Sequence, residues 1–303
     1  MILRLDPRYP LVWRSPDTIQ LGIDRPLAIV PGVTAPLETV IAALRVGVPW
    51  SGALMLGRQA GASDAATTAL VRALAPALVG PNPAPPGPAD PPVTATWFTR
   101  GPTRRPAGEG PLAEVAVDGT GPTADRIRGM LVDLGFTLTR PGRGEPEPQL
   151  AVIVDHFVLA PERHGRWLRR DVPHLPVLFS DTEARIGPLV EPGAGPCLTC
   201  LELERVDADP AWPAIATQLL HRTAPTETAR LSIEVAATVV GIVHDRLVNT
   251  SNEFAAASLA IDAESLSVRR RAHRPHERCG CRFLPENVIV LAGNAAGFRP
   301  QTS

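Results

Sequence analysis

Cysteine placement constrains this chain more than any other feature. All four cysteines fall into two tight pairs, Cys197-x-x-Cys200 and Cys279-x-Cys281, separated by a long stretch of chain. Spacings this short aim two thiolates at one point, and four thiolates complete a tetrahedral zinc shell. A fold that satisfies both pairs must leave that point after Cys200 and return to it at Cys279. Disulfides are the poorer reading, because a C-x-C pair closes a strained small ring when oxidised and a reducing compartment disfavours it. At 303 residues the chain can bury its own cores without such cross-links. We therefore read Cys197, Cys200, Cys279 and Cys281 as ligands of one structural zinc ion, with redox or iron–sulfur use and plain core cysteines as the alternatives. A filled shell leaves no open position for water, so the metal is not catalytic, and no cysteine remains as a nucleophile. His273 and His276, just upstream of Cys279, are alternative ligands; they read more simply as exposed loop histidines.

Charge excludes several partner classes. Thirty basic residues against 31 acidic ones give a formal charge of −1, so no global field favours nucleic acid or an anionic membrane. The most apolar long segment, Thr226 to Leu247, carries Glu227, Arg230, Glu234, His244, Asp245 and Arg246, which reads as a buried helix rather than a membrane span. The opening MILRLDPRYP lacks a basic region followed by an apolar one, so a cytoplasmic location is expected. Every one of the 30 basic residues is arginine. No lysine ammonium is available to reach a phosphate, form a Schiff base or accept a covalent attachment.

Pattern divides the chain into three parts. Over 1–79, Thr18 to Ile23 alternates as a half-buried strand and pairs with Leu27 to Val30 about Asp24-Arg25-Pro26. Thr34 caps a helix burying Leu37, Val40, Ile41 and Leu44 and ended by Gly47; another helix lies near Leu54; Ser63 caps a third. A hairpin with three helices resembles a winged helix-turn-helix, a small α+β domain. From 80 to 111, with seven prolines between Pro81 and Pro92, composition predicts a linker in which Trp97 and Phe98 pin a part down. From 112 to 303 the strand Ala113–Val117, the turn Gly119-x-Gly121-x-x-Ala124, a helix burying Ile127, Met130, Leu131 and Leu134, and strands at Phe136–Thr139 and Leu150–Val154 make a βαβ unit with a parallel sheet. Strands at Val177–Phe179 and Ile186–Val190, helices over Leu201 to about Leu220 and Thr226–Leu247, and a hairpin of Ala257–Ile261 with Leu266–Arg270 follow.

These residues carry a resemblance. The turn Gly119-Thr-Gly121-Pro-Thr-Ala124, the runs Val172–Val177 and Ile186–Val190, the string Gly195-Pro-Cys-Leu-Thr-Cys200-Leu-Glu-Leu-Glu-Arg205, Asp209-Pro-Ala-Trp-Pro213 and the terminal Cys-Gly-Cys281 are similar to ThiF-type adenylyltransferases, relatives of the ubiquitin-activating enzymes. Within them the chain most resembles the cyclodehydratase-like branch of thiazole/oxazole-modified peptide biosynthesis, over Leu112 to Phe283, with 1–79 similar to that branch's winged-helix leader-peptide clamp. The fold implied is α/β: a Rossmann-like parallel sheet with a four-cysteine zinc knuckle, preceded by a small winged-helix-like α+β domain. The resemblance also implies a homodimer.

In that family ATP is held by the glycine turn, an acid after the second strand, an arginine, a lysine and a metal-binding aspartate. Here Gly119 and Gly121 are present, and Asp155 after Leu150–Val154 is the candidate for the metal aspartate. The second strand runs into Thr139-Arg-Pro-Gly-Arg-Gly144 with Glu145 and Glu147 as the nearby acids, and a chain without lysine cannot supply the phosphate lysine. Arginine replaces a point charge poorly. Gly119, Gly121 and Asp155 thus read as a degenerate nucleotide site, with ATP not expected as a cofactor and the turn explained as a tight strand-to-helix connection. Trp212 is read as anchoring a helix start, and Arg269, Arg270 and Arg271 as a solvated strand end rather than a partner patch.

The functional expectation is a non-catalytic member of this family that binds a peptide or protein as an added strand on the Thr18–Val30 hairpin and presents it to a partner enzyme. The alternative is an ATP-dependent adenylating enzyme that uses Mg²⁺. A third reading, DNA binding, is weak, because 1–79 holds seven arginines against five acids and no basic helical stripe.

Overall fold

The structure, a computed structural model, describes residues 2–79, 112–139 and 147–282. The expected linker over 80–111, with Trp97 and Phe98, most of the turn after the second strand including Glu145, and 283–303 with Phe283 lie outside the described residues.

Residues 2–79 run β1 (Ile2–Leu5), β2 (Leu11–Ser15), β3 (Thr18–Leu21), β4 (Ala28–Val30), α1 (Ala35–Val46), β5 (Val48–Pro49), α2 (Trp50–Ala60), α3 (Asp64–Leu74) and β6 (Leu78–Val79). The expected hairpin forms, Ile19 pairing with Val30 and Leu21 with Ala28. Its strands belong to a three-stranded sheet ordered β2-β3-β4, and β1 lies between β5 and β6 in a second small sheet. Helix α1 buries Leu37, Val40, Ile41 and Leu44 between Thr34 and Gly47, but the Thr34 hydroxyl makes no capping bond. Pro36 in the first turn removes one of the amides such a cap would use. The Ser63 hydroxyl does accept the Ala66 amide at 3.1 Å at the start of α3. Leu3, Leu5, Ile19, Leu21, Leu44 and Leu74 meet in one core, each buried aliphatic side chain contributing about 1.5–3 kcal/mol.

The rest runs β7 (Glu114–Asp118), α4 (Pro122–Asp133), β8 (Thr137–Thr139), β9 (Leu150–His156), α5 (Pro161–Leu168), β10 (His174–Phe179), β11 (Glu183–Ile186), α6 (Leu198–Ala208), α7 (Trp212–Leu219), α8 (Ala229–Leu247), β12 (Ala257–Asp262) and β13 (Val268–Ala272). A seven-stranded sheet orders them β13-β12-β11-β10-β9-β7-β8. The expected parallel sheet is parallel only from β8 to β10 and mixed overall, since β10–β11, β11–β12 and β12–β13 are antiparallel. The connections dictate this: Ser180-Asp181-Thr182 between β10 and β11 is too short for anything but a hairpin, whereas parallel neighbours need a long crossover.

Both faces of the parallel part are covered at its centre, so the middle residues of β7, β9 and β10 are apolar on both sides. Val115, Val117, Val152 and Val154 face α4 and α8, where Ile127, Leu131, Leu231, Val235 and Val239 wait. Ala116, Ala151 and Ile153 face the other way, toward Trp167, Leu198 and the cysteines. Three expectations need correction. The single helix over Leu201–Leu220 is two, broken at Asp209-Pro210-Ala211, where Pro210 has no amide to continue the ladder. The strand expected at Ile186–Val190 lies at Glu183–Ile186, Pro188 being unable to donate, and Val190 makes only an isolated bridge to His174. Leu134 is exposed, because α4 ends before it. Among the described residues no helix is long and apolar enough to cross a membrane.

Residues 2–79 also touch this second part. Val12 of β2 is buried in the core of the large sheet. The Gln218 side chain of α7 accepts the Trp13 amide at 2.9 Å and donates to the Trp13 carbonyl at 2.7 Å, and Arg14 binds both oxygens of Asp209 at 2.8 and 2.7 Å.

Candidate functional site

The sheet brings the cysteine pairs together. Cys197 occupies the position before α6 and Cys200 its first turn, so the helix puts both sulfurs on one side. After the β12–β13 hairpin the chain returns, and Cys279 and Cys281 arrive beside a short turn of helix at Gly280–Arg282. All four sulfurs lie within 4.8 Å of one another. Cys197 Sγ is 3.8 Å from that of Cys200 and 3.5 Å from that of Cys279, and Cys200 Sγ is 3.4 Å from that of Cys281. Thiolates at about 2.3 Å from a tetrahedral zinc ion sit about 3.8 Å apart, so the donor set and its spacing fit such an ion. None of the four is in a disulfide. Cys197, Cys200 and Cys279 are buried against Trp167, Val190 and Leu198, and Cys281 is half-buried at the rim of the cluster.

The neighbouring histidines are not part of it. His273, expected to be exposed, is buried with Nε2 2.7 Å from the Ser258 hydroxyl, and half-buried His276 places Nε2 2.8 Å from Asp207. Trp212 does anchor a helix start: its indole donates to Glu202 at 2.6 Å, and the Arg205 guanidinium lies 4.7 Å over its ring. Arg269, Arg270 and Arg271 sit on the edge strand β13, paired with Glu183, Glu253 and Glu204 respectively.

The glycine turn lies elsewhere, at the carboxyl ends of β7 and β9, beside a cavity of about 460 Å³ lined by Asp118, Gly119, Thr120, Asp155, His156 and Arg163 among others. Gly119 and Asp155 share this cavity, whereas Gly121 faces Glu227, and both positions are glycine for geometric reasons. A Cβ on Gly119 would stand 2.7 Å from the Val154 carbonyl oxygen; Gly121 has φ +99°, a conformation side chains rarely adopt. The charged side chains around the turn are engaged by the chain itself. Arg163 pairs with Asp155 and, at 3.0 Å, with Asp118, whose other oxygen accepts Arg166 at 2.6 Å. Arg128 donates to the carbonyls of Val117, at 3.0 Å, and Gly119. Glu227, arriving just ahead of α8, accepts the Thr123 amide at 3.1 Å and stands 3.4 Å from His156 Nε2. The Ala224 amide donates to His156 Nδ1 at 3.2 Å, which leaves Nε2 to carry the proton that faces Glu227.

Sequence reasoning singles out the glycines and Asp155 but passes over Arg163, Arg166, Asp118, His156 and Glu227, which the fold places around them. Helix α5, which supplies both arginines, has eight residues of which only His164 and Trp167 are buried, too brief for a periodic signal. Glu227 lies 104 positions from the amide it contacts.

No family model matches the chain, and no curated protein matches it. Solved structures are similar to it at low identity. A chain of the E. coli microcin synthetase McbBCD complex is 12% identical, with a TM-score of 0.45 over 92% of this chain and 99% of that one. A heterocyclase in complex with substrate and cofactor is 17% identical, with a TM-score of 0.43 over 100% of this chain and 41% of that one. E. coli MccB is 12% identical, with a TM-score of 0.42 over 93% of this chain and 97% of that one.

Proposed function

We propose that this chain is a catalytically inactive ThiF-like, cyclodehydratase-like protein that binds a peptide or protein and presents it to a partner enzyme. In this reading residues 1–79 form a winged-helix-like peptide clamp, 112–303 form the α/β body, Cys197, Cys200, Cys279 and Cys281 hold a structural zinc ion, and the protein works as a cytoplasmic homodimer.

The observation that carries the reading is the engagement of Asp155. A metal-binding aspartate must offer its oxygens to a cation, yet Arg163 pairs with Asp155 while bridging to Asp118. With no lysine anywhere in the sequence, the phosphates of ATP lack the ammonium that the family supplies, and arginine replaces that point charge poorly. Peptide recognition has a physical basis in the small sheet. Its two outer strands are β2 and β4, and β2 is already bonded along its edge by Gln218. That leaves β4, where Ile29 is 48% exposed, as the edge on which an extended peptide adds a strand.

The test is isothermal titration of the zinc-loaded protein with ATP·Mg²⁺. No binding up to millimolar nucleotide is expected. Micromolar binding that disappears in Asp155→Ala would sink the reading in favour of the adenylating enzyme, which the cavity beside Gly119 and Asp155 would then serve.

A further inference from the structure

We propose that Glu227 is a resident anion: its carboxylate occupies the amino end of α4, where the phosphates of a nucleotide would sit, and so closes the glycine turn to phosphate-bearing ligands. The inference rests on the reading of the turn as a nucleotide site that has lost its use, and it names the residue that bars the ligand.

The amino end of a helix carries unpaired amides and the positive end of the peptide dipoles, and a glycine-rich turn ahead of it lets an oxyanion approach closely. In α4 this donor set is reduced and partly engaged from within the chain. Pro122 has no amide, the Asp125 amide donates to the Gly121 carbonyl at 3.1 Å, and the Thr123 amide donates to Glu227 Oε1 at 3.1 Å. Both Glu227 oxygens lie 3.4 Å from where a Cβ on Gly121 would stand. The open face of Gly121, which in a phosphate-binding turn faces the ligand, therefore faces this carboxylate.

Glu227 is also held from behind. Its side chain is 8% exposed, with Oε2 3.4 Å from His156 Nε2. The residues either side of it are fastened: Thr226 donates to the Ser180 carbonyl at 2.6 Å, and Thr228 caps α8 by accepting the Leu231 amide at 3.3 Å. An incoming phosphate would have to expel a buried carboxylate whose neighbours on both sides are bonded, or else share the site with it. Two anions against one helix terminus repel, and in this half-enclosed site water screens them weakly.

The experiment compares the full-length, zinc-loaded wild type with Glu227→Ala and Glu227→Gln by titration with inorganic pyrophosphate and with ATP·Mg²⁺. Wild type is expected to bind pyrophosphate only in the millimolar range and to show no binding of ATP·Mg²⁺ up to millimolar concentration. Glu227→Ala vacates the position and is expected to bind pyrophosphate on the order of tenfold more tightly than wild type. Glu227→Gln keeps the shape and an acceptor for Thr123 but removes the charge, with an expected gain of about threefold. If circular dichroism shows that the alanine variant does not fold, the glutamine variant decides alone. Folded variants that bind pyrophosphate no better than wild type would overturn the resident-anion inference and leave the non-catalytic reading standing. Micromolar ATP binding by wild type would overturn both, because the turn would then be open.

Discussion

Two buried acids meet where the small hairpin reaches the large sheet, and the junction makes a stability prediction with a definite sign. Asp181, in the turn between β10 and β11, accepts the amides of Ile23 and, at 3.0 Å, Asp24. Asp24 accepts the Thr182 amide and hydroxyl, both at 3.0 Å, and pairs with Arg185. Burial works against charge on both carboxyls, but Arg185 and the Thr182 bonds hold Asp24 below the ordinary range. Asp181 takes the opposite course: burial, then the charge on Asp24, raises it from 3.8 to about 7. Between those values the folded protein keeps a proton that the unfolded chain has released. Stability therefore falls as pH rises through this window and is level above it. A window of about 3 pH units at roughly 1.4 kcal/mol each amounts to about 4 kcal/mol. His174 runs the other way. Burial lowers it to about 4, so its contribution is lost as pH falls from 6.5 toward that value. The two trends offset one another in wild type, and the comparison with Asp181→Asn separates them, since an amide keeps an acceptor for the hairpin but cannot ionise. Urea unfolding followed by circular dichroism from about pH 4.5 to 8 should show the two proteins close at the acid end. The variant should gain on wild type by roughly 1.4 kcal/mol per pH unit until neutrality. A stability difference independent of pH, or one that favours wild type increasingly as pH rises, would refute the reasoning.

Other perturbations test the remaining contacts. Cys200→Ser removes one of four thiolates, so zinc measured by plasma mass spectrometry should drop well below roughly one ion per chain, with a lower melting temperature; full zinc retention would count against a four-sulfur shell. Gly119→Ala sets a Cβ 2.7 Å from the Val154 backbone oxygen, which cannot swing aside, and should cost about 1–3 kcal/mol in chemical unfolding. Arg14 and Asp209 make a two-pronged ion pair at 2.8 and 2.7 Å between β2 and the start of α7. A double-mutant cycle with alanine at both positions should give a coupling of about 1–2 kcal/mol, and a coupling near zero would mean the pair does not fasten β2.

What was legible in the sequence had local causes. The hairpin at Thr18–Val30, the helix from Thr34 to Gly47, the Ser63 cap and the β7–α4 turn each announce themselves within a dozen residues, through alternation, capping or glycine. The cysteine cluster was legible for a different reason: four identical donors in two short pairs have few other ways to be satisfied. What escaped was set by neighbours distant in sequence. Nothing local shows that β10 turns back so that the sheet becomes mixed, or that Asp209-Pro210 divides one apolar run into two helices whose second end meets β2.

The glycine turn shows the same division within one site. Its backbone follows from the residues Gly119 to Ala124, because a Cβ would collide with Val154 or force Gly121 out of its conformation. Whether such a turn faces a ligand or a side chain of its own protein depends on what the fold delivers to it. Here it delivers Arg163 from a helix too short to read and Glu227 from the lead-in to α8, and these two contacts set the charge that any incoming phosphate or metal would meet. A fingerprint of glycines therefore specifies a shape. The occupant is specified by acids and guanidiniums remote in the chain, and the paired replacement of Glu227 and its neighbours, rather than of the glycines, is what can change it.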